Sequence, residues 1–338
     1  MKLIARIVVL LSLTMACLAA DAPGFKVVKK YPVPGNGGFD YIFFDASSQR
    51  LFVSHGNEVN VLDANSGKVL GKIDNTPGVH GIAIVADLHR GYISAGHDAS
   101  VVVFDTGSLH RIARLPVDAD PDFIFYDPQT SRVFVCHGDA SELSVIDPAK
   151  DAVIGKIKLD SGAEAAVVHD KNNGFVNLED TAEVAHFDPT AMTVEHTWPI
   201  TGCKQPTGLA MDHSAERLFI GCRSRVLAVM DASDGKVITT LPIGDHVDAV
   251  AYDPDNKLIF ASNGDGTVSV VRENGPNDYQ TLGDIQTQKS GKTMTFDPGT
   301  KRLFVSAAQV ESTPGANGQP PRFHPKPGTL TVLVVEKQ

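Results

Sequence analysis

Short apolar stretches of four to seven residues recur along the chain, separated by polar turns rich in Asp, Asn, Ser and Gly. Near the start they run over Asp40 to Phe44, Arg50 to Ser54, Val59 to Leu62 and Lys68 to Ile73, punctuated by Asp-Ala-Ser-Ser, His-Gly-Asn and Asp-Ala-Asn-Ser-Gly. Runs of this length, bounded by turn residues and rich in Val, Ile and Phe, predict β-strands. Asp bonds its own backbone and Gly tolerates positive φ, so both suit the tight turns between them. The same four-strand phrase returns seven times. Using Asp45, Asp87, Asp127, Asp170, Asp212, Asp253 and Asp297 as markers, the steps are 42, 40, 43, 42, 41 and 44 residues. The copies at Ile84 and Val167 are weaker than the other five. A period of this size predicts a ring or stack of identical units.

Four short antiparallel strands per unit predict an all-β, seven-bladed β-propeller. The seventh unit ends at its third strand, GTLTVLVVEK from Gly328. Its fourth is expected at the other terminus, where PGFKVVKKYPV from Pro23 matches the fourth-strand segments GKVLGKI from Gly67 and GKVITTLPI from Gly235. The N-terminal strand thus completes the last blade and closes the ring, leaving no long unpaired edge.

The phrases DPxxxRLFVS and VxVxDxxxGKV, together with GCKQPTGLAMD, RLFIGC and PRFHPKPGTLTVLVV, resemble the YVTN-type β-propeller repeats of bacterial YncE-like proteins. The resemblance spans the chain beyond its first twenty residues. It implies a propeller fold and export, and it implies little about activity. The Trp-Asp dipeptides of WD40 repeats are absent; the one tryptophan is Trp198.

Lys2 and Arg6, an apolar stretch from Ile7 to Leu18 and the small residues Ala19-Ala20 read as a signal peptide over residues 1–20, leaving one domain over 21–338. The apolar stretch is shorter than the roughly 20 residues a membrane span requires, so no span is expected. Thr14-Met15-Ala16 is a poor setting for lipidation of Cys17. A periplasmic or secreted, monomeric protein is expected. Loss of Lys2 and Arg6 takes the formal charge from −10 to −12. Nucleic acid and anionic membranes need a basic footprint, so neither is expected as a partner.

Aligned repeats place two rings of residues at one mouth of the channel. The first strands open with Asp40, His80, Asp122, Ala163 or Glu164, Thr207, Asp248 and Lys292. The second strands end with His55, Ala95, His137, Leu178 or Glu179, Cys222 or Arg223, Asn263 and Ala307. Scaffold positions agree between repeats while these differ, which points to an asymmetric site. The ligand-binding candidates are therefore Asp40, His55, His80, Asp122, His137, Glu164, Arg223, Asp248 and Lys292. His55, His80 and His137, with Asp40 or Asp122, are the candidate ligands of a divalent or copper-type metal, although no compact histidine spacing supports them. No other cofactor is implied.

Cys203 and Cys222 fall at one end of blade five and are expected to form a disulfide, worth roughly 3 kcal/mol by loop closure. Cys136 is then left over. The Pro-rich insertion 309–327 in blade seven is expected to be extended or irregular, overhanging the same mouth as a lid, docking arm or tolerated loop. Its Arg322, His324 and Lys326 give it a basic character above an acidic rim. Neither a GxSxG nor an HExxH motif nor a P-loop occurs. The reading is an exported binding module for a small ligand or protein partner, with a metal-dependent hydrolase, lactonase-like enzyme or oxidoreductase at the same face as the alternative.

Overall fold

The computed structural model describes residue 22 and residues 24–313 and 322–338; the expected signal peptide lies outside these. Seven four-stranded antiparallel sheets form a ring. Blade 1 comprises Ile42–Asp45, Arg50–His55, Glu58–Asp63 and Val69–Asp74, from axis to rim. Blade 7 takes Met294–Asp297, Arg302–Ala307 and Thr331–Lys337 from the end of the chain and Phe25–Pro32 from its beginning. That last pairing runs from Phe25 opposite Lys337 to Pro32 opposite Thr331, with one bulge between Val27 and Lys29. The ring is closed as expected.

The middle strands of each blade are apolar on both faces because both faces are covered by neighbouring blades. Phe52, Tyr92, Phe134, Phe175, Phe219, Phe260 and Phe304 occupy one position of the second strand in the seven blades and are at most 1% exposed. Burying such a side chain contributes roughly 1.5–3 kcal/mol, and one of the seven stands in every blade.

The turn from first to second strand explains the shared Asp. Asp45 accepts the backbone N–H of Ser47 at 3.0 Å, Asp212 that of Ser214 at 2.8 Å and Asp297 that of Gly299 at 2.9 Å. The residue before the second strand is left-handed in six blades, from φ 53° at Lys257 to 63° at Lys301. The weaker copies owe their weakness to this turn. Val85 pairs with Arg90, and Val168 with Gly174, where other blades pair Asp with the residue opening the second strand. Asp87 and Asp170 therefore sit two residues further on, inside the turn.

The insertion in blade 7 departs from expectation. Its two flanks, Val310–Thr313 and Arg322–Pro325, pair with each other as a two-stranded ribbon. The intervening residues lie outside the described residues. The ladder runs from Val310 opposite Pro325 to Thr313 opposite Arg322, a pairing that the prolines of the segment had obscured. Among the described residues no helix is long and apolar enough to cross a membrane.

Candidate functional site

Local irregularity aims the mouth residues. In blades 2 to 6 the innermost strand carries a bulge at its start, spanning Val79/Ile82, Pro121/Ile124, Ala163/Ala166, Pro206/Gly208 and Val247/Ala249. His80, Asp122, Glu164, Thr207 and Asp248 are the residues inside those bulges, where an unpaired residue can be re-aimed. Hydroxyls and an amide of adjoining strands fix the backbone there. Ser54 Oγ accepts the N–H of Asp40 at 2.8 Å, and Asn177 Nδ2 donates to the carbonyl of Gly208 at 3.1 Å. Ser94 Oγ donates to the carbonyl of Asp122, and Thr293 Oγ1 to that of Asp40, both at 2.5 Å. Thr207 spends its own hydroxyl on the carbonyl of Val247 at 2.7 Å and is buried, so it adds no charge.

The remaining ring residues form a chain of contacts around the axis. His80 Nδ1 donates to Asp40 Oδ2 at 2.7 Å and lies 3.3 Å from Asp122 Oδ1. Lys292 Nζ donates to Asp40 Oδ1 at 2.9 Å and reaches Asp248 Oδ2 at 3.4 Å. Arg223 spans Asp248 at 3.6 Å and Glu179 at 2.7 Å. With Glu164 beside Glu179, five carboxylates thus face three cationic or protonatable groups, drawn from all seven blades.

Burial sets their protonation. Asp122 is pushed up to about 7, first by loss of solvent and then by the charge of Asp40. Glu164 rises to about 10 through burial and a hydrogen bond to Glu179 that requires its proton. Asp248 is raised mainly by burial. Burial opposes the charge on Asp40 as well, yet Lys292 and His80 outweigh it and hold that carboxyl below its usual range. For His80, burial disfavours the cation, but Asp40 and Asp122 more than offset it and raise the imidazole. Perturbed groups gathered in a cleft mark a candidate binding or reactive site.

The second ring divides differently. His55 and His137 end their strands buried, both at most 2% exposed, with His55 at the wall of the groove beside the mouth. Each donates its Nδ1 hydrogen to a loop carbonyl at 3.0 Å, of Pro34 and Ala119 respectively. Ser144 Oγ lies 2.9 Å from the other nitrogen of His137. Burial lowers both imidazoles, so they sit as neutral braces. The structure does not bring His55, His80 and His137 together as a ligand set. Among the described residues, the group of three metal-ligating side chains whose donor atoms lie within 4.8 Å of one another is Asp40, His80 and Asp122. The side chains that reach the channel from the second ring are Glu179 and Arg223, one residue beyond the strand end. Leu178 and Cys222 are buried in its stead.

A polar groove of about 1090 Å³ opens beside the mouth over blades 1, 2 and 7, lined by Asp40, His80 and Lys292 together with Glu58, Asp74 and His97. The last three were not singled out from the sequence, because they stand outside the two compared rings. Cys203 and Cys222 are joined by a disulfide, with Cα atoms 5.5 Å apart. Cys136 is a free, buried thiol pushed up by burial, which removes its nucleophilic form.

No family model matches the chain. A curated relative, the pre-rRNA-processing protein IPI3 of Meyerozyma guilliermondii, is 27% identical over 181 residues. The match covers 52% of this chain and 38% of that protein's length. Among solved structures, the hydrazine synthase of Kuenenia stuttgartiensis superposes with a TM-score of 0.71 at 16% identity, over 88% of this chain and 96% of that one. A chain of U3-55K gives 0.76 at 11% identity, over 93% and 99%. One from a mitotic checkpoint complex gives 0.73 at 13%, over 97% and 99%. These likenesses show the propeller fold. Their functions differ widely, as is usual for a scaffold that hosts unrelated sites.

Proposed function

We propose that this protein is an exported, YncE-like β-propeller that acts as a binding module, recognising a small charged ligand or a charged segment of a protein partner at the His/Asp mouth. The observation that carries this reading is the asymmetry of the ring. Homologous positions in seven blades hold Asp40, His80, Asp122, Glu164, Thr207, Asp248 and Lys292, whereas the scaffold beneath them repeats. Burying so many ionisable groups is costly unless they are paired, and a scaffold with no use for them would be more stable with small neutral residues. The open groove alongside gives a ligand access. The binding reading is preferred to the metal-dependent enzyme alternative because the structures with the same fold include interaction scaffolds, such as a chain of the mitotic checkpoint complex.

Thermal-shift measurements at low salt against free amino acids, dipeptides, dicarboxylates and polyamines test the reading. A ligand that raises the melting temperature of the native protein, but not of Arg223→Gln or Asp248→Asn, supports it. If no compound raises the melting temperature, or the variants respond as the native protein does, the mouth is not the recognition site.

A further inference from the structure

The ring treats one of its carboxylates oddly. Asp122 Oδ1 is buried from solvent and has no hydrogen-bond donor; Asp248 Oδ2 shares that lack, but the Lys292 ammonium stands 3.4 Å from it. The nearest polar hydrogen is on His80 Nδ1, 3.3 Å away, and Asp40 already accepts it at 2.7 Å. A buried carboxylate oxygen without a partner is costly and calls for an explanation, which a bound cation between Asp122 and its neighbours supplies. Lys292 does not supply it, because its contacts go to Asp40 Oδ1 and Asp248 Oδ2.

We propose that Asp40 Oδ2, His80 Nδ1 and Asp122 Oδ1 form a binding site for a divalent d-block cation of the zinc type. The proposal rests on the mouth being a binding site and names what binds there. Three donor atoms from three blades lie within 4.8 Å of one another. Zinc bound at about 2.0–2.2 Å from each donor would hold neighbouring donors roughly 3.4 Å apart. The separations of His80 Nδ1 from the two carboxylates, 2.7 and 3.3 Å, lie within an ångström of that, and the three donors all fall within 4.8 Å of one another. On binding, the His80 Nδ1 hydrogen leaves to solvent and its lone pair turns to the metal. Two carboxylates and a neutral imidazole then balance the ion's charge. One nitrogen and two oxygens are too few for calcium, which takes six to eight oxygen ligands; imidazole with carboxylate favours zinc and its neighbours.

The surroundings suit such a site. Lys292 keeps the second oxygen of Asp40, so that Asp40 offers one donor in a fixed direction, as outer partners of metal ligands do. Ser54 and Ser94 hold the backbone of Asp40 and Asp122. Asp40 and His80 also border the groove, so a fourth position is open to solvent or to a ligand group.

A second pair of imidazoles supplies the control. His169 and His213 place their Nδ1 atoms 3.2 Å apart near the turns between first and second strands, remote from the mouth. The test is isothermal titration of ZnCl₂ into the purified, chelator-stripped protein. One zinc per chain is expected, with affinity falling at least tenfold in both His80→Gln and Asp122→Asn and unchanged in the His169→Gln/His213→Gln double variant. Circular dichroism checks that each variant folds. If one does not, ¹⁵N spectra of the native protein decide: one equivalent of zinc must shift the His80 Nδ1 resonance. Absence of zinc uptake, uptake that survives both mouth variants, or shifts confined to His169 and His213 overturn the proposal. A protein that takes no zinc but still loses a small-ligand response in Arg223→Gln refutes the metal and leaves the binding mouth standing.

Discussion

Glu164 should make the protein less stable as pH rises, and its neutral analogue should remove that cost. The side chain is largely buried in the blade 4 bulge, and its carboxyl keeps a proton up to about 10 through burial and the hydrogen bond to Glu179. The sign follows from linkage. Below about pH 4 the group is protonated in both folded and unfolded chains and has no effect. Above that, the unfolded chain releases the proton while the folded one retains it, and stability falls by about 1.4 kcal/mol per pH unit until the folded group ionises. Against an ordinary glutamate near 4.3, the accumulated cost at pH 7 is about 3.7 kcal/mol. Glu164→Gln keeps the shape and can still donate to Glu179, but has no proton to lose. The melting temperature of the variant should exceed that of the native protein by roughly 5–10 °C at pH 7–8 and match it at pH 4. Scanning calorimetry at pH 4, 6 and 8 measures this directly. A gain that is the same at all three values, or no gain at pH 8, would refute the assignment of the cost to a retained proton.

Asp212 should behave in the opposite sense. Burial opposes its charge, but hydrogen bonds from Lys257, Ser214 and Tyr252 win and hold it well below the usual range. Its stabilising effect is complete above about pH 4 and is lost as pH falls below that, so Asp212→Asn should cost about 2 kcal/mol at pH 7 and progressively less on acidification, read by urea titration. Cys203→Ser/Cys222→Ser should cost roughly 3 kcal/mol, with the native protein falling to the same urea midpoint under reductant. Deleting residues 24–32 should expose the edge of Thr331–Lys337 and yield aggregated protein in size-exclusion chromatography. Cell fractionation with N-terminal sequencing should find a processed chain beginning at Asp21 outside the cytoplasm.

The repeat made the fold and half of the mouth legible. Positions Asp40, His80, Asp122, Asp248 and Lys292 could be placed from alignment alone, because each stands at a fixed step from a turn that most blades share. The strand ends were harder. Side chains alternate faces along a strand, so one residue decides between the interblade core and the channel. His55 and His137 end their strands as buried neutral imidazoles, whereas Glu179 and Arg223, one residue beyond the strand end, carry the charge. Imidazole is compatible with both settings, and nothing in its spacing says that a loop carbonyl is waiting for it. The turn variants in blades 2 and 4 were blurred for a related reason: an Asp two residues late still reads as an Asp.

The seam in blade 7 imposes an order on assembly. Phe25–Pro32 belongs to the first strand the chain makes, and its partner, Thr331–Lys337, to the last. Six blades can form from neighbouring segments, whereas the seventh joins residues at opposite ends of the sequence, the slowest kind of contact to establish. Until the tail arrives, the leading strand has no ladder to join and the ring cannot lock. The finished circle therefore reports on everything between Phe25 and Lys337: a chain that stops at any blade in between leaves the strand at Phe25–Pro32 unclaimed.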